Sequence, residues 1–146
     1  LLGFVEIDRS LVSYEMVDVQ LNMNCVLTAS KRIVFDIGAM VHNTQLQQTH
    51  HNKLDSYVSM VEECIENSLK MANSSGMMID LNGFIVPDKS NACEMHARAV
   101  ARRAERTAVS AQQHWAVPVL NIMSDFLFLL SWHNWKGGDQ WCGIDK

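Results

Sequence analysis

The stretch Ala97–Arg106, which reads A-R-A-V-A-R-R-A-E-R, holds four of the twelve basic residues of this chain and reads as a helix. At 3.6 residues per turn, Arg98, Arg102 and Glu105 fall on one face of that helix. Two guanidinium groups and a carboxylate on one ridge suit a polyphosphate ligand, because arginine donates forked hydrogen bonds and glutamate can orient an arginine or help to hold a metal ion. A solvated, salt-bridged helix face is the alternative that this pattern leaves open.

The composition around this stretch favours a single helical domain. The chain has 146 residues, enough for one sizeable core, and only two prolines and seven glycines, too few for the many turns of a sandwich or barrel. The formal net charge of −4 excludes the overall basic footprint of a nucleic-acid-binding protein. We therefore expect an all-α protein with no nucleic-acid partner.

The cysteines and the apolar runs bear on the compartment. The four cysteines are far apart and form no CxxC pair, which indicates buried thiols in a reducing compartment rather than a zinc site. The start of the sequence, Leu1–Val5, lacks the basic flank of a signal peptide, and the apolar run Phe126–Leu130 is far too short to span a membrane. We expect a soluble protein of the cytoplasm or, alternatively, the mitochondrial matrix, with no membrane partner.

Apolar residues recur at helical intervals along most of the chain. The segment Asn43–His51 is polar and reads as a loop, and Phe84–Pro87 reads as a short strand-like piece. Pro118 suits the first turn of a final helix. The pattern predicts five helices packed as an antiparallel bundle, over Leu11–Ala29, Lys31–His42, Asn52–Asn73, Ser90–Gln113 and Val117–Trp132.

Several blocks occur in the order found in one enzyme family. Phe84–Ser90 reads F-I-V-P-D-K-S against a family turn "F-I-L-P-G-G-[ST]", and Ala97–Arg106 matches the family helix "A-R-T-V-C-R-R-A-E-R". Leu120–Leu130 reads L-N-I-M-S-D-F-L-F-L-L against "L-N-R-L-S-D-x-L-F-x-L". Earlier, Val17–Asp18 and Phe35–Ala39 fit the family's "V-D-E-L-N" and "L-F-D-L-G" helices. The chain thus resembles the ATP:corrinoid adenosyltransferases of the propanediol-utilisation type.

This resemblance implies a fold and a reaction. The family fold is an antiparallel five-helix bundle of ferritin-like type that assembles as a homotrimer with sites between protomers. The family reaction moves the 5'-deoxyadenosyl group of ATP onto the cobalt of a reduced corrinoid and releases triphosphate. ATP, Mg²⁺ and cobalamin are therefore the expected substrates and cofactors, and a flavoprotein reductase and a cobalamin-dependent enzyme are the implied protein partners.

The resemblance also implies residue roles for nucleotide binding and catalysis. Arg102 would contact the ATP phosphates, Glu105 would order the site or its magnesium ion, and Asp125 would support the arginines. Arg103 and Asn121 would join Arg98, Arg102 and Glu105 in binding ATP. Each of these side chains could instead be a surface charge, a cap or a local salt bridge.

Two further roles concern the corrinoid and the subunit interface. Phe84 would lie against the lower face of the corrin and displace the axial ligand, although an ordinary core phenylalanine is the alternative. Arg98 would pair with Asp18 of a neighbouring subunit. A solvated helix residue is the alternative for Asp18.

Departures from the family pattern define the competing hypotheses. Asp88 and Lys89 stand where the family has two glycines, and Ile122 and Trp132 stand where it has arginines. The sequence begins after the position of the family's phosphate-wrapping loop "T-[RK]-x-G-D-x-G-x-T", so we expect residues 1–146 to form one domain that lacks it. A divergent, non-catalytic member that binds a corrinoid or a partner protein is the main alternative. An unrelated helical bundle with a surface arginine ridge is the third.

Overall fold

The computed structural model describes residues 14–74, 84–135 and 140–141, with side chains over 22–47, 50–72 and 85–135. This part of the chain is mostly helical, which confirms the all-α class. It contains four α-helices, one 3₁₀ turn and two short strands: α1 (Tyr14–His42), α2 (Gln45–Ser74), β1 (Phe84–Ile85), α3 (Ala92–Ser110), the 3₁₀ turn (His114–Ala116), α4 (Val117–Asn134) and β2 (Gln140–Trp141).

The first two predicted helices form one continuous helix, α1, so the predicted break near residue 30 is wrong. The Ser30 hydroxyl donates to the Val26 carbonyl at 2.8 Å and lies 2.7 Å from the Tyr57 hydroxyl of α2. The Ser30 hydroxyl therefore has its hydrogen-bond partners inside the protein, and the chain does not need to turn at Ser30 to expose it to water. Tyr57, the second partner, lies on another helix, so local periodicity does not reveal it.

The predicted loop Asn43–His51 is also wrong, because α2 begins at Gln45. The Gln45 backbone N–H donates to Asn43 Oδ1 at 3.1 Å, so Asn43 supplies the side-chain acceptor that a helix N-terminus requires. Only Asn43 and Thr44 separate the two helices. So short a connection makes α1 and α2 antiparallel neighbours.

The second half of the chain follows the prediction more closely. Helix α3 covers the predicted Arg-bearing segment, although it ends at Ser110, before Gln112, which adopts a left-handed φ of 58°. Helix α4 begins at Val117 with Pro118 in its first turn, as predicted. The strand-like piece is confirmed only as β1, which pairs antiparallel with β2, with Phe84 opposite Trp141.

Packing places α4 at the centre of the bundle. Helix α4 contacts both α2 and α3, and α1 packs on α2. Phe126 and Leu130 of α4 are fully buried with Val26 of α1 and Val61 of α2. The described residues thus build a helical core that agrees with the predicted class, while the trimer and the five-helix arrangement stay predictions.

The composition of α4 follows from this central place. The segment His114–Asn134 is long and apolar enough to cross a membrane, by length and composition alone. A core helix meets the same criterion, and Phe126 and Leu130 are 0% and 1% exposed within the bundle. Burial between neighbouring helices accounts for its apolar character.

Candidate functional site

Side chains of α3 and α4, most of them polar, form two stripes that meet along the contact between the helices. The α3 stripe runs at spacings of four, four and three. In the α4 stripe, Asn121, Asp125 and Phe128 follow at spacings of four and three, and Asn134 joins from the end of the helix. Because the helices are antiparallel, the two stripes meet in reverse order. We call this arrangement the α3–α4 ladder; its members are Glu94, Arg98, Arg102 and Glu105 from α3, and Asn121, Asp125, Phe128 and Asn134 from α4.

Glu105 anchors one end of the ladder. Arg102 Nη1 donates to Glu105 Oε2 at 2.8 Å, and Asn121 Nδ2 donates to Glu105 Oε1 at 3.2 Å. The Glu105 side chain is 15% exposed, whereas that of Arg102 is 48% exposed. The carboxylate therefore fixes one nitrogen of the guanidinium, while the remaining donors of Arg102 can reach a ligand in solvent.

Arg98 occupies the middle of the ladder. Its guanidinium carbon lies 4.7 Å from the centre of the Phe128 ring, a cation–π contact between α3 and α4. Partial burial, with a smaller contribution from the positive charge of Arg102, lowers the pKa of Arg98. Arginine keeps its proton at neutral pH despite such a shift, so two positive charges lie one turn apart on α3.

Asp125 faces these two arginines from α4. The residue is exposed as a whole, but its carboxyl group lines a cleft between α2 and α4. Partial desolvation raises the pKa of Asp125, the charges of Arg102 and Arg98 oppose that shift, and Glu105 adds to it. Asp125 thus balances the arginine charges without forming a direct ion pair with either in the described structure.

The far end of the ladder lies near the start of α3. Asn134 Nδ2 donates to Glu94 Oε1 at 3.0 Å, which ties the end of α4 to the first turn of α3. Before α3, the Asp88 carboxylate accepts from the backbone N–H of Ser90 at 2.7 Å and from its hydroxyl. The hydroxyl bond is the main reason that the pKa of Asp88 is lowered. This Asp-centred turn occupies the place of the family's two glycines.

The cleft beside the ladder has an apolar floor and an acidic rim. Its volume is about 480 Å³, and it lies between α2 and α4. Three carboxylates, those of Glu62, Glu66 and Asp125, line it together with six apolar side chains, namely Ile65, Leu69, Ile122, Phe128, Leu129 and Trp132. Ile122 and Trp132, which replace motif arginines, therefore contribute apolar rather than cationic surface here.

The structure brings together five of the eight predicted site residues: Arg98, Arg102, Glu105, Asn121 and Asp125. Arg103 lies outside this cluster, on the face of α3 that lines an apolar groove of about 410 Å³ toward α1. The side chains of Asp18 in α1 and Phe84 in β1 lie outside the part of the chain that the structure describes.

Sequence reasoning missed Phe128 and the Glu94–Asn134 pair as members of the ladder. Phe128 is seven residues after Asn121 and three after Asp125, so helical spacing alone places it on the same face. Aromatic side chains are typical of core packing, so this spacing was not interpreted as part of a site. Glu94 lies four residues before Arg98, so the same helical spacing places it on the face of α3 that carries Arg98.

Metal binding by the protein finds no support in the described residues. Within residues 14–74, 84–135 and 140–141, no three His, Cys, Asp or Glu side chains converge as a metal site. Both carboxylate oxygens of Glu105 are already hydrogen-bonded to Arg102 and Asn121. In this geometry Glu105 orients the side chains of Arg102 and Asn121.

Comparison with known proteins identifies the family. The family model described as cobalamin adenosyltransferase matches residues 6–134. No curated protein and no solved structure matches the chain. The family match contains α3, α4 and the whole ladder. Because it covers well over half of the chain, this protein belongs to the cobalamin adenosyltransferase family.

Proposed function

We propose that this protein transfers the 5'-deoxyadenosyl group of ATP to the cobalt of a reduced corrinoid, as an enzyme of the propanediol-utilisation type. The family acts on cobalamin with ATP as a substrate. The single observation that carries the proposal is the ladder, which lies inside the family match and in which Glu105 holds Arg102 and Asn121 while Arg98 lies one turn from Arg102. Such a set suits an ATP triphosphate.

The proposed reaction is a nucleophilic substitution at carbon 5' of ATP. The Co(I) corrinoid donates an electron pair, a cobalt–carbon bond forms, and the bond between carbon 5' and the triphosphate oxygen breaks. Triphosphate leaves with that bond's electrons, and the cobalt becomes formally Co(III). The protein needs no nucleophile of its own, so its tasks are to position the substrates and to stabilise the leaving charge.

Arg102 and Glu105 carry the phosphate-binding part of this proposal. The exposed donors of Arg102 bind phosphate oxygens, and Glu105 holds the guanidinium in place. Asn121 shares the same carboxylate and orients the nucleotide. Asp125 keeps the pair of arginines balanced when the site is empty.

The subunit and corrinoid roles are proposed on the family resemblance. Arg98 pairs with Asp18 of a neighbouring subunit in a homotrimer, and Phe84 lies against the lower face of the corrin. Arg103 acts on ATP only if the nucleotide extends around α3 toward α1, because its side chain lines that groove. A cytoplasmic or mitochondrial-matrix location completes the proposal.

Magnesium enters this proposal only as a companion of ATP. The described residues do not fit a protein-held magnesium site, since no three His, Cys, Asp or Glu side chains among them converge. No step is therefore assigned to a metal bound by side chains of this chain.

Binding without turnover is the second candidate. Ile122 and Trp132 supply apolar surface to the α2–α4 cleft where the family motif has arginines. Fewer cations beside the ladder weaken the binding of a triphosphate, while an apolar cleft still suits a corrinoid or a partner protein. This observation favours a divergent member that binds but does not transfer.

One assay separates the two candidates. Cobalamin is reduced to cob(I)alamin, ATP and magnesium are added, and formation of adenosylcobalamin is followed by absorbance, with triphosphate measured in parallel. Equal amounts of both products support the transferase. A spectral shift of added cob(II)alamin without product supports the binding protein, and the absence of both signals contradicts both.

A further inference from the structure

Two cysteines occupy facing positions across α1 and α2. Asp36 of α1 lies 3.9 Å from Lys53 of α2, measured from Oδ1 to Nζ. Cys25 lies eleven residues before Asp36, and Cys64 lies eleven residues after Lys53. Eleven residues are about three helical turns. Because α1 and α2 are antiparallel, Cys25 and Cys64 lie opposite each other in the same register as Asp36 and Lys53.

A groove between α1 and α2 ends one helical turn before the two cysteines. Ala29 and Arg32 of α1 and Met60 of α2 line this groove with Asp36 and Lys53. Cys25 lies four residues before Ala29, and Cys64 lies four residues after Met60. Facing positions on closely packed helices are the ones that bring Cα atoms within reach of a disulfide.

The two thiols differ in accessibility. Cys25 is exposed, whereas Cys64 is 4% exposed. Burial raises the pKa of Cys64 to about 11, the hydrogen bond with Ser68 lowers it, and the charges of Cys25 and Glu63 raise it. The effect of the Cys25 charge on Cys64 agrees with the register that places the two residues on facing helices.

We propose that Cys25 and Cys64 form a thiol modification site that low-molecular-weight disulfides, such as oxidised glutathione, convert into a cross-link between α1 and α2. The proposal does not depend on adenosyl transfer. It assigns a role to a pair of cysteines that the ladder and the α2–α4 cleft leave unused.

The conversion takes two balanced exchange steps. The Cys25 thiolate attacks one sulfur of the small disulfide, whose S–S bond breaks and releases one thiolate. The Cys64 thiolate then attacks the Cys25 sulfur, the mixed S–S bond breaks, and the second small thiolate leaves. Two cysteine thiols are oxidised, one small disulfide is reduced to two thiols, and the two cysteine protons are taken up by the released thiolates.

The accessibility of the two thiols fixes the order of the steps. The exposed Cys25 meets the small disulfide first, because Cys64 is shielded. Since only a thiolate attacks, a pKa of about 11 for Cys64 makes closure slow at neutral pH and faster in alkaline solution. The closed product holds α1 against α2 along the groove.

The test treats the native protein with oxidised glutathione and follows its intact mass and its peptides. A mass lower by two hydrogens, with a Cys25–Cys64 linked peptide, supports the proposal. The rate of closure should rise roughly tenfold per pH unit from pH 7 to 9, because the Cys64 thiolate fraction rises in that way. A glutathione adduct on Cys25 that persists without closure at pH 9 overturns the proposal, and so does a cross-link to another copy of the chain.

Matched variants avoid any need to change the buried residue. Cys25→Ser removes an exposed thiol and should abolish the linked peptide, whereas Cys93→Ser, at another exposed cysteine, should leave closure unchanged. Loss of closure in Cys93→Ser, or a persistent intramolecular link in Cys25→Ser, contradicts the assigned pair.

Discussion

Arg102 and Asn121 donate to opposite oxygens of one carboxylate, that of Glu105, so this residue joins α3 to α4 at the exposed end of the ladder. The arrangement leaves most donors of Arg102 unused and accessible. Glu105 therefore acts on a ligand through the arginine that it orients.

Replacing Glu105 by glutamine tests this orienting role. An amide places an N–H group opposite one of the two donors, so either Arg102 or Asn121 loses its acceptor. We expect ATP affinity to fall roughly tenfold, about 1.4 kcal/mol, as for the loss of one hydrogen bond to a charged group. Titration calorimetry measures it.

Glu94→Gln is the matched control, because its carbonyl oxygen can still accept from Asn134 at the other end of the ladder. An equal loss of ATP affinity in both variants would show that charge alone matters, and would remove the orienting role from Glu105.

The Arg98–Phe128 contact should contribute to folding stability. A double-mutant cycle with Arg98→Met and Phe128→Leu measures it by chemical denaturation at fixed protein concentration. We expect a coupling free energy of about 0.5–1 kcal/mol, the usual range for a partly exposed cation–π pair. If the effects of the two changes are additive, the contact between Arg98 and Phe128 contributes nothing to the free energy of unfolding.

Tyr57 should make stability fall in alkaline solution. Burial raises the pKa of Tyr57 to about 12 from 10.0, and its hydrogen bond with Ser30 opposes that shift. Between those values the unfolded chain has lost the phenolic proton and the folded chain still holds it, so rising pH favours unfolding. Below pH 10 the titration of Tyr57 should not change the free energy of unfolding. Between pH 10 and pH 12 it should lower the free energy of unfolding by roughly 1–3 kcal/mol.

Tyr57→Phe removes this titration and keeps the ring. The variant should lose about 1 kcal/mol at neutral pH, the net contribution of one hydrogen bond, and show a shallower alkaline slope than the native protein. Ser30 keeps its bond to Val26 in the variant, so no unsatisfied hydroxyl confuses the comparison. Parallel slopes for the two proteins would contradict the assignment to Tyr57.

The sequence predicted which residues share a face of α3 better than it predicted the helices of the first half of the chain. Arg98, Arg102 and Glu105 share a face because one helix contains them all, so local periodicity sufficed. Ser30 lies inside α1, where its hydroxyl donates to Val26 and also contacts Tyr57, 27 residues away. The polar residue was therefore interpreted as a helix break, although its hydrogen bonds are made within the bundle.

The same limit applies within the site. Arg103 and Arg102 are adjacent in sequence and look equivalent, yet Arg103 lines the groove toward α1 while Arg102 meets Glu105. Which of two neighbouring arginines faces α4 depends on how α3 is rotated in the bundle. The partner of Arg98, Phe128, was missed for the same reason, because it lies on another helix.

The proposed subunit pair predicts a concentration-dependent assembly. Asp18→Asn removes the charge that Arg98 of a neighbouring subunit would contact. On dilution, the homotrimer of this variant should therefore dissociate at a higher protein concentration than the native homotrimer does. Sedimentation velocity over a dilution series measures this. Asp36→Asn, which removes a carboxylate paired within the chain to Lys53, is the control. If the Asp18→Asn variant stays trimeric at the same low concentrations as the native protein, Asp18 does not stabilise the interface.

The most direct measurement of the central claim is the ATP affinity of Arg102→Ala, determined by titration calorimetry in the presence of magnesium. Loss of a charge-assisted contact should weaken binding by about 1.5–3 kcal/mol, roughly 10- to 150-fold. Arg32→Ala, at an exposed arginine of α1 outside the ladder, should bind ATP as the native protein does. Native affinity in Arg102→Ala would contradict the claim that the ladder holds the triphosphate.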